Sequence, residues 1–221
     1  MIKLEKRPKP QILTDNEARW LKVLQDKMDA GETPTAYEKS RYRHPDVKSE
    51  LLLETHEKCA YCESKFRHVH HGDVEHIYPK SLDVKKTFEW ENLTLACEVC
   101  NQFKTNNDPN VESIIDPYEV NPEEHFVFLG GMIFANTQSG LATRAILRLH
   151  RAELVETRNE RADRVMTIFL QILDVSLPIN VRRALYEDLL LVEAAPSAQY
   201  AAMTRCIIKQ VSIDLPEEIT S

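Results

Sequence analysis

Residues 59–107 read CAYCESKFRHVHHGDVEHIYPKSLDVKKTFEWENLTLACEVCNQFKTNN, and this stretch decides the fold. Two Cys-x-x-Cys knuckles, Cys59/Cys62 and Cys97/Cys100, stand near its ends with 34 residues between them. Each knuckle puts two thiols on one side of a tight turn. Two knuckles that meet make the tetrahedral four-sulfur shell that zinc prefers. One such pair would suit a redox motif equally well, but two pairs in a chain with 5 cysteines favour metal. A four-thiolate shell leaves no open position, so the zinc expected here is structural. The remaining Cys206 falls on the apolar stripe of a predicted helix and reads as a core thiol.

Between the knuckles no helical period survives. The run Asp73-Val74-Glu75-His76-Ile77-Tyr78-Pro79-Lys80-Ser81 instead carries polar groups between apolar ones. Glu75 and His76 are neighbours, so in a regular strand they face opposite sides. They can serve one site only where the strand bends or gives way to a loop. Trp90, Asn92 and Leu93 follow, then Asn101 directly behind the last cysteine and Lys104 one turn further on. Lys104 shares a helical face with Asn101, and with Lys80 it reads as a contact to phosphate. Lys85 and Lys86 read equally as solvated surface, and His68, His70 and His71 as a solvent-facing strand or turn.

Outward from this stretch the chain is helical text. Thr14 with Glu17 forms a capping box ahead of Trp20, Leu21, Val23, Leu24 and Met28, with a stop at Gly31. Lys3, Lys6, Arg7 and Lys9 make a basic, proline-punctuated arm over 1–13, read as a soluble tail. Beyond Pro117, Gly130 and Gly131 sit between two apolar runs and predict a hairpin. From about Ala142 onward the spacing is helical, with Leu154, Ala162, Val165, Phe169 and Ile172 on one face that Arg158 alone interrupts. The reading is an α+β fold, mainly α, in three parts: 1–58 with the arm and helices, a core over 59–118, and 119–221 with a hairpin and helices.

Charge narrows the function. The 221 residues carry 28 Lys and Arg against 35 Asp and Glu, net −7, so bulk basicity cannot hold nucleic acid. From residue 112 onward there are 16 acids and 10 bases, and the acidity concentrates in that half. Those helices read as core support or a partner-binding surface. No export signal or membrane span is visible, which predicts a cytoplasmic protein without membrane contact.

The order acid-His, Asn, then Asn behind a Cys-x-x-Cys, with Pro79-Lys80-Ser81 and Trp90-Glu91-Asn92-Leu93, resembles the HNH endonuclease family. The resemblance implies a ββα-metal core tied by Cys59, Cys62, Cys97 and Cys100. It implies His76 as the general base, Glu75 and Asn101 as ligands of one catalytic Mg2+ or Mn2+, and Asn92 as the residue whose side chain aims the histidine. The family's commoner acid is Asp, and Glu75 departs from it. A looser similarity, carried also by Cys59-Ala-Tyr-Cys-Glu63, Asp73-Val-Glu-His76 and Ile115-Asp-Pro117, extends to the PtuB-type HNH subunit of Septu and retron-associated anti-phage systems. It implies an effector nuclease that cleaves nucleic acid, DNA ahead of RNA, together with an ATPase subunit. The chemistry agrees: phosphodiester hydrolysis needs a base effective near neutral pH and a hard cation on the phosphate. The competing reading is a catalytically inactive zinc ribbon that binds nucleic acid or protein. Such a module has no need of Glu75, His76, Asn92 and Asn101 in this order.

Overall fold

The structure, a computed structural model, describes residues 1–220. Three helices lead: α1 (Gln11–Asp29), α2 (Ala36–Ser40) and α3 (Pro45–Glu54). Strands β1 (Asp73–His76) and β2 (Leu93–Ala96) pair antiparallel, with Val74 opposite Leu95 and Glu75 opposite Thr94, and helix α4 (Glu98–Lys104) follows. A short α5 (Pro109–Glu112) leads to the hairpin β3 (Phe126–Leu129) and β4 (Met132–Ala135). Helices α6 (Gln138–Ile146), α7 (Ala152–Leu173), α8 (Ile179–Asp188), α9 (Ala201–Val211) and α10 (Glu217–Thr220) follow, with a π-helical turn over Leu189–Glu193 continuing α8. The mainly helical α+β reading holds, and β1–β2–α4 is a ββα unit.

Two details at the start of the chain correct the sequence reading. Helix α1 begins at Gln11 behind Pro10, whose carbonyl accepts from the amides of Leu13 and Thr14. Proline's fixed φ already suits a helix entrance, so the start precedes the proposed Thr14/Glu17 box. Thr14 lies inside the first turn with its hydroxyl on Pro10 O. The capping box forms at α2 instead, where Thr35 accepts from Glu38 N and Glu38 from Thr35 N.

The basic arm is no tail. Met1, Ile2 and Leu4 are buried in the core, and Leu4 N donates to Pro117 O at 2.9 Å. Lys6 pairs with Glu54 at 3.0 Å and lies over the rings of Trp90 and Tyr118. Trp90 Nε1 donates to Arg7 O at 2.7 Å, so the arm is stitched across the ββα unit. Met1, Ile2 and Leu4 turn inward, the Lys6 stem runs along aromatic rings, and Arg7 and Lys9 pair with Glu50 and Glu17.

The predicted hairpin and long helix both form. Leu129 pairs with Met132 around Gly130 and Gly131, and a Cβ on Gly131 would lie 2.4 Å from Val155 O of α7. That close approach demands glycine. On α7 the buried residues are Leu154, Arg158, Ala162, Val165, Phe169 and Ile172, the stripe read from spacing. Arg158 interrupts nothing: its guanidinium donates to Leu149 O at 2.7 Å and lies over Phe128 and Tyr200. Buried apolar side chains from Met1 to Ile219 form one continuous cluster.

Candidate active site

The two knuckles meet. The Sγ atoms of Cys59, Cys62, Cys97 and Cys100 all lie within 4.8 Å of one another, and Cys62 and Cys97 are 3.8 Å apart. The first knuckle is a turn closed by Glu63 N on Cys59 O; the second is the entrance of α4, where Cys97 O accepts from Asn101 N. Four convergent thiols of this kind fit zinc and leave no coordination position open. Outside the cage, the Arg151 guanidinium approaches Cys100 Sγ at 3.8 and 3.9 Å. Cys62 Sγ lies 3.3 Å from Ser64 Oγ, which meets Tyr200 OH at 3.0 Å.

The cage also abuts a cleft, because Cys100 is followed directly by Asn101. A cleft of about 300 Å³ is lined by Glu75, His76, Pro79, Lys80, Asn101 and Gln102, with Thr105 and Asn106 at its edge. Glu75 and His76 both reach it because β1 ends at His76. Glu75 meets Lys104 of α4, while the His76 ring lies against Thr87 and Tyr42. Glu75 sits 2.9 Å from Lys104 Nζ. Burial pushes the Glu75 carboxyl up, and the Lys104 ammonium opposes that shift.

His76 is held from behind. Its Nε2 is 3.0 Å from Thr87 O, an atom that can only accept, so Nε2 carries the proton and Nδ1 keeps its lone pair. The ring packs edge-on against Tyr42, with centroids 4.5 Å apart. Burial and then the Lys80 charge lower its pKa to about 3, so the imidazole is neutral near pH 7. Lys80 Nζ lies 3.4 Å from that Nδ1 and donates to Tyr42 OH at 3.0 Å.

Asn92 stands back from the cleft and makes three bonds. Its Oδ1 accepts from Tyr78 N at 2.7 Å, and its Nδ2 donates to Tyr78 O and Lys86 O at 2.9 and 3.0 Å. Residue 78 lies just beyond His76, and residue 86 just before the Thr87 carbonyl that holds the ring. One buried amide therefore ties both ends of the loop that frames the imidazole.

The placement of Lys104 differs from the sequence reading. It is fully buried, donates to His76 O at 2.8 Å and pairs with Glu75, so its charge faces inward and a surface contact to phosphate is closed to it. Lys80 does line the cleft. His70 turns away, accepting from Gly72 N at 2.8 Å, and Lys86 pairs with Glu89. Sequence reasoning missed Tyr42, which arrives from a remote segment without any motif, and Thr87, which acts through its backbone. It also quoted Asp73 without a role. Asp73 Oδ2 accepts from Asn101 Nδ2 at 3.0 Å, and the two-residue spacing from Glu75 already put both acids on one strand face.

Residues 59–107 match the family described as HNH endonuclease. The ββα unit, its four-cysteine cage and the cleft together define an HNH domain, the domain of a phosphodiester-hydrolysing nuclease. Across nearly its whole length the chain is also similar to the Septu protein PtuB of Bacillus thuringiensis. The two are 26% identical over 220 residues, covering 94% of this chain and 82% of that protein. No helix among the described residues is long and apolar enough to cross a membrane.

Proposed function

We propose that the chain is a metal-dependent endonuclease that hydrolyses phosphodiester bonds of DNA as the cytoplasmic effector subunit of an anti-phage defence complex with an ATPase. The observation that supports catalysis over passive binding is the meeting, at one strand end, of a neutral histidine, whose unprotonated Nδ1 lies 3.4 Å from Lys80 Nζ, with the side chains of Glu75 and Asn101. A zinc ribbon that only binds needs none of the three.

In this reading His76 Nδ1 takes the proton of the attacking water, and the Nε2–Thr87 bond keeps the ring in the productive tautomer. Asn92 holds the frame around the ring. The Glu75 carboxylate and the Asn101 amide oxygen suit a hard divalent cation, Mg2+ or Mn2+, and the cleft has room for its waters and a phosphate oxygen. Such an ion, when bound, neutralises charge on the phosphate and on the leaving oxygen. Lys80 at the cleft wall supports the phosphate. The cage holds zinc and keeps α4, and with it Asn101, against β1.

Similarity to the Septu protein PtuB along nearly the whole chain supports the defence role. The net charge of −7 supports a division of labour in which a partner supplies most of the nucleic-acid surface. The test is cleavage of supercoiled plasmid and of structured RNA, with and without added Mg2+, by the chain alone and with its co-purified partner. Mg2+-dependent nicking of DNA that disappears in His76→Ala supports the proposal. Equal nicking by both proteins, or preference for RNA, contradicts it.

A further inference from the structure

We infer that Asp73 is a positioning residue that sets the polarity of the Asn101 amide. The inference rests on the reading of Glu75 and Asn101 as cation ligands. An asparagine side chain has two nearly isosteric arms of opposite character: the oxygen attracts a cation and the NH2 repels it. Nothing in the shape of the cleft decides which arm points inward. An ionised carboxylate decides it by chemistry, because it accepts hydrogen bonds and cannot donate them. Asp73 Oδ2 lies 3.0 Å from Asn101 Nδ2 and engages the donor arm, which turns the acceptor arm away from Asp73. Asn101 itself lines the cleft beside Glu75.

The local fold brings the two residues together. Asp73 and Glu75 are two apart on β1 and share the face that packs on α4. Asn101 and Lys104 are three apart on α4 and share the face that packs on β1. Two polar pairs result, Asp73 with Asn101 at 3.0 Å and Glu75 with Lys104 at 2.9 Å. The Lys104 pair holds a ligand whose two oxygens are equivalent, so it carries no orientation information. The Asp73 pair holds the ligand for which orientation decides between attraction and repulsion.

The experiment measures Mn2+ binding to the zinc-loaded protein by the EPR signal of free Mn2+, independent of cleavage. Asp73→Ala raises the Mn2+ dissociation constant by about tenfold, the lower end of the usual cost of losing a residue that orients a ligand. The deciding arm is Asn101→Asp, in which both arms are oxygen and polarity no longer matters. In that background Asp73→Ala changes Mn2+ affinity less than about twofold, because no amide is left to orient. A role in merely clamping strand to helix predicts native affinity in Asp73→Asn, whose amide can bond Asn101 through either arm, and that result overturns the inference. Native affinity in Asp73→Ala, with Asn101→Ala clearly weakened, also overturns it while leaving the ligand assignment standing. Native affinity in Asn101→Ala overturns the ligand assignment and the inference together. Zinc content and melting temperature, unchanged across the set, show that each variant has folded.

Discussion

Two neighbouring regions, the four-cysteine cage and the cleft, are built on opposite plans although Cys100 and Asn101 are consecutive. The cage is closed: four thiols from two tight turns converge within 4.8 Å, three of them on residues fully buried and the fourth nearly so. The cleft is open, and three of its lining side chains, an acid, an imidazole and an amide, are each held by a partner from elsewhere in the chain. Glu75 is held by Lys104, His76 by Thr87 and Tyr42, and Asn101 by Asp73. A structural site can be written as a local pattern of ligands, because thiolate and zinc supply most of the energy. A catalytic site must hold fewer ligands against solvent while leaving room for substrate, so its geometry is delegated to neighbours.

The largest expected effect comes from breaking the cage. Cys100→Ser removes one thiolate and with it much of the roughly 10 to 16 kcal/mol that zinc contributes to small tetrahedral sites, an amount comparable to the stability of a whole domain. The expected outcome is loss of stoichiometric zinc and of the cooperative melting transition, read by metal analysis and circular dichroism. Retention of a sharp native melt without zinc would show that the core around Trp90 and Leu95 folds unaided, and that the cage is not what holds α4.

Breaking the cleft leaves the fold and removes the chemistry. His76→Ala is expected to lower the cleavage rate by about 10² to 10⁴, the usual share of a general base, while zinc content stays stoichiometric. Plasmid nicking beside metal analysis checks both halves. Residual cleavage at the native rate would assign the proton transfer to another group.

That asymmetry explains what was legible in the sequence. The cage could be read in full, because Cys-x-x-Cys spacing is set by the turn it makes. The hairpin and the α7 stripe were equally plain, since Gly130-Gly131 and a helical period are local signals. The cleft was legible only as four residues in an order, through the resemblance to a family. Its partners were not. Tyr42 comes from a helical turn far upstream, Thr87 contributes a carbonyl that every residue possesses, and no spacing rule announces that Lys104 turns inward rather than toward phosphate. The arm misled for a related reason. Lysines near a chain start suggest solvent, yet Lys6 lies over two rings and beside Glu54, contacts supplied by residues 48 or more positions away.

Asn92 tests whether the frame around His76 matters separately from His76. Asn92→Asp keeps the acceptor for Tyr78 N and removes both donors, leaving the carbonyls of Tyr78 and Lys86 without their partner and setting a charge beside them. A loss of about 1 to 3 kcal/mol in stability is expected from the unsatisfied buried groups. A fall in cleavage beyond that explained by unfolding is also expected, with zinc retained. Urea denaturation paired with plasmid nicking separates the two effects. Full activity in the folded fraction would show that the Thr87 carbonyl holds its place without Asn92.

The smallest effect is expected where the cage meets the acidic C-terminal half. A zinc ion with four thiolates carries two excess negative charges in a buried setting, and such a charge needs a counter-ion. Among the described residues, Arg151 at the entrance of α7 directs both terminal nitrogens at Cys100 Sγ, at 3.8 and 3.9 Å. Burial lowers its pKa, yet the thiolates of Cys100 and Cys62 raise it overall, as expected of a cation seated on an anionic cluster. Arg151→Gln keeps much of the side chain and removes the charge. Zinc affinity, measured by chelator competition, is expected to fall by about tenfold, while the cooperative melt of the zinc-loaded protein persists. Arg151→Lys restores charge but not the two-pronged approach, and is expected to fall between the two. Unchanged affinity in Arg151→Gln would show that the cage is self-sufficient, and the contrast drawn between cage and cleft would then be complete. The expected drop shows instead that even the closed site borrows from a distant segment, through charge rather than through ligands.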